Sequence, residues 1–270
     1  MLKKRLIFTL LYGDGYFMLS RNFRLQKVGD IDWLNLNYNF SKISFEIDEL
    51  IVLDVSRNER DLDKFCSILT ALSETCFVPL SIGGGIKSVD YAKQLISAGA
   101  DKLVLNTALF TDPRLVYELA ETYGEQCLIA EVDIKYSPVG KPYLLINSGT
   151  EVVPGEASKI VDYVLSLPIG ELMINSVDKD GTGQGFDFAL LNLLPVSITK
   201  PIIFSGGVGN AIHIMNGLED ARIDAVNTAN LFNFIGDGLK NARQNLVQNG
   251  HNAPIWNSQL AENLKGCLIK

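Results

Sequence analysis

The chain has 270 residues, 47% of them hydrophobic and 20% charged, with a net charge of −7; it can bury a large core and has the usual size of a closed (β/α)8 barrel. The acidic balance argues against nucleic acid as the main partner, while single phosphates held by local backbone nests remain compatible with it. His213 and His251 are the only histidines, which argues against a histidine triad or a histidine-rich metal site, so no metal and no cofactor is expected.

Strands are expected over roughly 5–11, 49–55, 78–82, 102–106, 127–133, 171–176, 201–205 and 224–229, with helical patterns between them throughout. In 87–98 and 113–123 apolar residues recur at helical spacing. Asp112-Pro113 reads as a helix start, with Asp112 as N-cap and Pro113 in the first helical position. Residues 136–149, with Pro138-Val139-Gly140 inside, read as a hairpin after the fifth strand. Residues 1–250 read as one barrel domain, and 251–270 as a tail with no assigned role. Cys66, Cys76, Cys127 and Cys267 lack CxxC spacing. The apolar run near Met1 is too short for a signal-peptide core, and no window suits a membrane span, so a cytoplasmic protein with reduced thiols is expected.

The third and fourth strands enclose Gly83-Gly84-Gly85 and end at Asn106-Thr107. Glycines there let the backbone approach an anion, and the next helix offers free N–H groups. A lone glycine triplet can equally be a turn. A second copy, Ser205-Gly206-Gly207 with Ala229-Asn230, favours the anion cradle. A shift of 122 residues carries Gly83 onto Ser205, Leu11 onto Asp133 and Asp54 onto Ser176, growing to 123 at Asp101 and Asp224. Eight strands alternating with helices imply a parallel sheet. The half-length repeat implies that the sheet closes on itself, so the fold class is α/β, a (β/α)8 TIM barrel of two half-barrel repeats.

Period-two alternation assigns Arg5, Ile7, Thr9 and Leu11 to one face of strand one. The corresponding faces carry Glu49, Ile51 and Leu53; Lys102, Val104 and Asn106; Ile129, Glu131 and Asp133; and Glu171, Met173 and Asn175. If these point inward, Arg5, Glu49, Lys102 and Glu171 form a balanced ring of two cations and two anions near the strand starts. The alternative is a set of solvated rim charges.

Taken together, Arg5, Asp14-Gly15, Asp48-Glu49-Leu50, Gly83-Gly84-Gly85-Ile86, Gly99-Ala100-Asp101-Lys102, Asn106-Thr107, Asp133, Gly170-Glu171-Leu172, Asp178-Lys179-Asp180-Gly181-Thr182 and Ser205-Gly206-Gly207 resemble the cyclase subunit (HisF) family of imidazole glycerol phosphate synthase. The resemblance spans nearly the whole chain. It implies a phosphorylated substrate at the C-terminal face and a glutaminase (HisH-like) partner on the N-terminal face, whose ammonia crosses the barrel. By the same resemblance Arg5, Glu49, Lys102 and Glu171 form the ammonia gate, Ser81 lies on the path, and Asp101 lies near the partner contact. Phosphate sites fall at Gly84, Gly85, Asn106 and Thr107 on one side and at Gly181, Gly206, Gly207, Ala229 and Asn230 on the other.

The family's acid–base pair ends strands one and five. The second member is Asp133, but the first falls on Leu11, which cannot move a proton. A loop lysine of the family falls on Leu19, and Asn230 stands where a smaller serine is usual. A kept gate with a broken pair resembles the second-copy, WbuZ-like branch linked to surface-polysaccharide synthesis, with a sugar amidotransferase as further partner and amidination of an N-acetylated sugar as the end. The alternatives are an authentic histidine-pathway cyclase, or a non-catalytic barrel that activates its glutaminase. Glu131, inward and one layer below Asp133, needs a raised pKa or a partner, with Thr9, Ser81 and the gate cations as candidates; a register shifted by one residue would put it outside instead. If inward, it borders the ammonia route as a further catalytic candidate.

Overall fold

A computed structural model describes residues 3–38, 43, 45–230 and 238–255. Its eight parallel strands are β1 (Arg5–Gly13), β4 (Glu49–Asp54), β5 (Leu80–Gly83), β6 (Lys102–Leu105), β7 (Leu128–Tyr136), β10 (Glu171–Ser176), β11 (Ile202–Ser205) and β12 (Ala225–Thr228). They pair in that order, β12 returning to β1 with Arg5 opposite Ala225, so the eight parallel strands close on themselves. The fold is the expected α/β TIM barrel.

Two antiparallel additions stand at the C-terminal end. β2 (Tyr16–Arg21) and β3 (Arg24–Gly29) extend β1, and β8 (Pro142–Ile146) with β9 (Glu151–Val152) extend β7. The second is the hairpin expected within 136–149. The first was not anticipated, although its turn chemistry is legible: Asp14 and Gly15 both take positive φ, as a two-residue hairpin turn of the type favoured by Asp-Gly requires.

Helices α1 (Ile31–Asn37), α2 (Leu62–Ser73), α3 (Val89–Ser97), α4 (Ala108–Thr111), α5 (Pro113–Tyr123), α6 (Ala157–Ser166), α7 (Ala211–Glu219) and α8 (Gly238–Gln248) surround the barrel. The helix expected over 87–98 is α3, started by Ser88, whose hydroxyl accepts from Tyr91 N. α5 begins at Pro113 as expected, but Asp112 makes no side-chain cap bond; its carboxylate lies 3.6 Å from exposed Arg114 instead. A 3-10 turn, Phe188–Leu193, follows β10.

Apolar packing divides in two. A large core fills the space between strands and helices, including Phe8, Phe65, Leu95, Val116 and Phe204. A separate plug fills the barrel interior with Ile7, Ile51, Val104, Ile129, Met173, Ile203 and Ala225, all from the faces assigned by alternation where a face was assigned. Carboxylates at the strand starts tie neighbours together: Asp48 accepts from Leu6 N, Asp101 from Leu80 N and Asp224 from Ile202 N. Asp101 and Asp224 thus do the same work in the two half-barrels. Residues 251–255 lie against the N-terminus, where Lys4 N donates to Asn252 O; the rest of the expected tail, 256–270, and Cys267 lie outside the described residues.

Candidate functional site

The site begins at the N-terminal end of the barrel. Arg5 Nη1 donates to Glu49 Oε2 at 3.0 Å and Arg5 Nη2 bonds Glu171. Lys102 Nζ lies 3.0 Å from Glu49 Oε2 and 2.6 Å from Glu171 Oε1. Each cation therefore bridges both anions, a closed four-membered ring and not a set of rim charges. Glu49 is also the acceptor for the Ser81 hydroxyl, which is wholly buried. Burial alone would raise the Glu171 carboxyl, but the hydrogen bond and charge of Arg5, joined by Lys102, hold it below its ordinary range. Burial opposes the charge on Lys102, and the two glutamates more than restore it.

Above the ring lies the apolar plug, and above the plug a polar layer. Thr9 donates to Asn227 Oδ1 at 2.7 Å, and Asn227 donates in turn to Ser205 Oγ at 3.0 Å. Asp133 sits at the end of β7 with both oxygens occupied: Asn175 Nδ2 donates to one at 2.8 Å and Asn106 Nδ2 to the other at 3.1 Å. Burial nonetheless dominates, pushing the Asp133 carboxyl up to about 7. Glu131 points inward as expected, opposite Met173 of β10. None of its expected partners holds it. Thr9 bonds Asn227, Ser81 bonds Glu49, and the gate cations are engaged below the plug. Burial, then the charges of Asp133 and Asp180, raise the Glu131 carboxyl well above its ordinary value.

These groups open on a cavity of about 410 Å³ lined by Leu11, Glu131, Asp133, Asn106, Thr107, Gly84 and Gly85, with Arg57, Arg60 and Lys87 around it. Leu11 stands in the cavity wall. Ala229 and Asp180 also line a second cavity of about 260 Å³, with Gly181, Gly206, Gly207, Asn230, Leu19, Arg21 and Arg24. The two glycine turns therefore line adjoining cavities that share Asp180 and Ala229. They are also built alike: an added Cβ would meet backbone of Asp54 at Gly84 and of Ser176 at Gly206, residues related by the 122-residue repeat.

Sequence reasoning missed the cationic rim. Arg21 and Arg24 ride on the unanticipated hairpin, whose tip is pinned where Asn22 donates to Val177 O and Phe23 N to Asp180 Oδ2. Arg60 is held 3.8 Å from buried Asp54. Among the described residues no group of three His, Cys, Asp or Glu side chains could hold a metal ion, and no helix is long and apolar enough to cross a membrane.

A sequence-family model described as Histidine biosynthesis protein matches residues 33–236. A protein of Parasynechococcus marenigrum, carrying the provisional name imidazole glycerol phosphate synthase subunit hisF2, is 47% identical over 244 residues, 90% of each chain. This chain belongs to the histidine biosynthesis protein family. Within it, the chain is HisF-like, of the imidazole glycerol phosphate synthase cyclase-subunit type. HisF-like identity fits the closed barrel with its charged ring, apolar plug and paired glycine turns.

Proposed function

We propose that this HisF-like barrel is a synthase subunit that receives ammonia from a HisH-like glutaminase on its N-terminal face and admits it through the charged ring to a phosphorylated substrate in the cavity. The closed ring carries the reading. Apolar side chains of similar volume would seal the barrel end without the desolvation cost of four charges. Charges that bridge one another can be opened by moving one member, and Lys102 has a flexible stem and the simplest donor set. Neutral ammonia can then cross the apolar plug, where an ion would be expelled.

The cradles support a phosphorylated ligand. Gly84 and Gly206 allow close backbone approach; Arg57, Arg60 and Lys87 supply charge around the first cavity and Arg21 and Arg24 around the second. Leu11 supports the finer assignment to the WbuZ-like branch, in which the nitrogen ends in amidination of an N-acetylated sugar for surface polysaccharide and a sugar amidotransferase is the third component. A gene for such an enzyme beside this one is expected; a complete histidine operon there would count for the histidine pathway.

The decisive experiment compares nitrogen sources in the complex with the glutaminase. Lys102→Ala should lose product formation from glutamine while keeping most of the formation from ammonium chloride. Equal retention of both would rule out a channel through the ring.

A further inference from the structure

The polar layer above the plug is satisfied internally, with one exception. Thr9, Asn227 and Ser205 form a chain of hydrogen bonds, and Asp133 is held by Asn106 and Asn175. The Glu131 side chain has no hydrogen bond to any described group, yet it lines the same cavity as Asp133 and Leu11. On a strand, residues two apart on one face stand roughly 7 Å from each other, so both carboxyls can reach a single bound molecule. Glu131 is half-buried and faces the cavity, so its carboxyl is presented to a bound molecule and is not spent on a structural partner.

We infer that Glu131 is a second acid–base residue of the cavity, which with Asp133 moves the protons as ammonia adds to a phosphorylated carbonyl compound within the barrel. The inference rests on the reading that ammonia reaches this cavity. The balance closes as follows. Nitrogen bonds to the carbonyl carbon, the C=O π pair moves to oxygen, and oxygen takes the proton of the Glu131 carboxyl while the surplus proton on nitrogen passes to the Asp133 carboxylate. Loss of water reverses the exchange: Asp133 protonates the departing hydroxyl, Glu131 takes a proton from nitrogen, and the imine leaves both groups as they began.

The surroundings suit this division. Asp133, from the same strand, and Asp180, from the loop after β10, are the charges that act on Glu131, and both disfavour its ionisation. The flanking strands β6 and β10 present Val104, Asn106, Met173 and Asn175 at this level; their ionisable residues, Lys102 and Glu171, are committed to the ring beneath the plug. Arg57, Arg60 and Lys87 stand at the cradle side. Burial and the neighbouring carboxylates raise Glu131, while Asp133, also raised by burial, is drawn back by the Asn175 hydrogen bond, so the two carboxyls stand in different surroundings and are suited to different roles.

The test omits the glutaminase and supplies ammonium chloride, with the cyclase substrate of imidazole glycerol phosphate synthase as the probe. The wild-type chain should turn it over with a rate that rises through pH 7 and falls at higher pH. Glu131→Gln keeps the shape and neutrality of the protonated side chain. It should lower kcat about 10²–10⁴-fold with KM little changed and remove the high-pH fall, while Glu131→Asp recovers part of the rate. No turnover by the wild type, or an unaltered rate and pH profile in Glu131→Gln, overturns the inference. If the same chain with the glutaminase added cannot use glutamine, while the ammonium reaction and its Glu131 dependence stay intact, the ammonia-delivery reading is overturned instead.

Discussion

At the scale of single residues, the proposed chemistry rests on three positions that line one cavity: Leu11, Glu131 and Asp133. Leu11 is buried in the cavity wall, at the position where the resemblance to HisF implies a carboxylate. Leu11→Asp should raise the ammonium-dependent rate on the cyclase substrate, in part only, because Leu19 lines the neighbouring cavity without a charge. A variant no faster than wild type in steady-state assays would show that the strand-one acid is not what limits this barrel. Asp133 also makes a stability prediction. Its folded value of about 7 lies above its ordinary 3.8, so between these the native state holds a proton that the unfolded chain has lost. Stability must then fall as pH rises through that window. Glu171 acts in the opposite sense: its lowered carboxyl stabilises the fold above the ordinary range and ceases to do so as pH falls through its folded value. Thermal melts should therefore peak at mildly acidic pH. In Asp133→Asn the decline toward pH 8 should flatten.

At the scale of elements, the cradles are turns that only glycine can make at this closeness. Gly84 has φ +110° and an added Cβ would sit 2.3 Å from Asp54 O, which is backbone and cannot move aside. Gly84→Ala should cost more than the roughly 1–3 kcal/mol of an unfavourable φ alone. Gly140, at the tip of the β7–β8 hairpin, has φ +76° with nothing within 4 Å of an added Cβ, so Gly140→Ala should cost only about 1 kcal/mol. Urea unfolding of the two variants separates strain from collision, and equal losses would contradict the geometry. The hairpin β2–β3 belongs to the same scale. Its first strand buries Phe17 and Met18 while its second is half exposed and largely polar, so the pair lacks the sustained apolar pattern of the barrel strands, and Arg21 and Arg24 become legible only in the fold.

At the scale of the whole molecule, the ring exists only because the barrel closes. Four strands from distant parts of the chain each contribute one charge, and none has its partner on its own strand. Removing Lys102 leaves two buried carboxylates with one cation. Breaking such a pair costs roughly 3–5 kcal/mol when dry, and Lys102→Ala should fall toward the low end because the lysine and Arg5 side chains are about one-fifth exposed. Replacing Lys102 with Arg, which keeps the charge, should recover most of the stability in chemical denaturation. Failure to do so would mean that the ring owes its stability to packing.

The sequence by itself determined the barrel, since alternating strands, a half-length repeat and inward faces of period two leave few other ways to bury so much apolar surface. It also determined which residues share a level: the ring, the plug and the pair Glu131 and Asp133 all follow from strand register, which a local pattern encodes. What it could not decide was which partners those residues take. Thr9 and Ser81 were equally available to Glu131 by level, and only closure of the sheet brought Asn227 to one and Glu49 to the other. The cationic rim was likewise invisible, because Arg21, Arg24, Arg57 and Arg60 lie on connections whose path is set by contacts with distant loops, such as Asn22 with Val177. Hydrogen bonds and charges act over a few ångströms in space, and positions far apart in the chain come within that reach only when the barrel has closed.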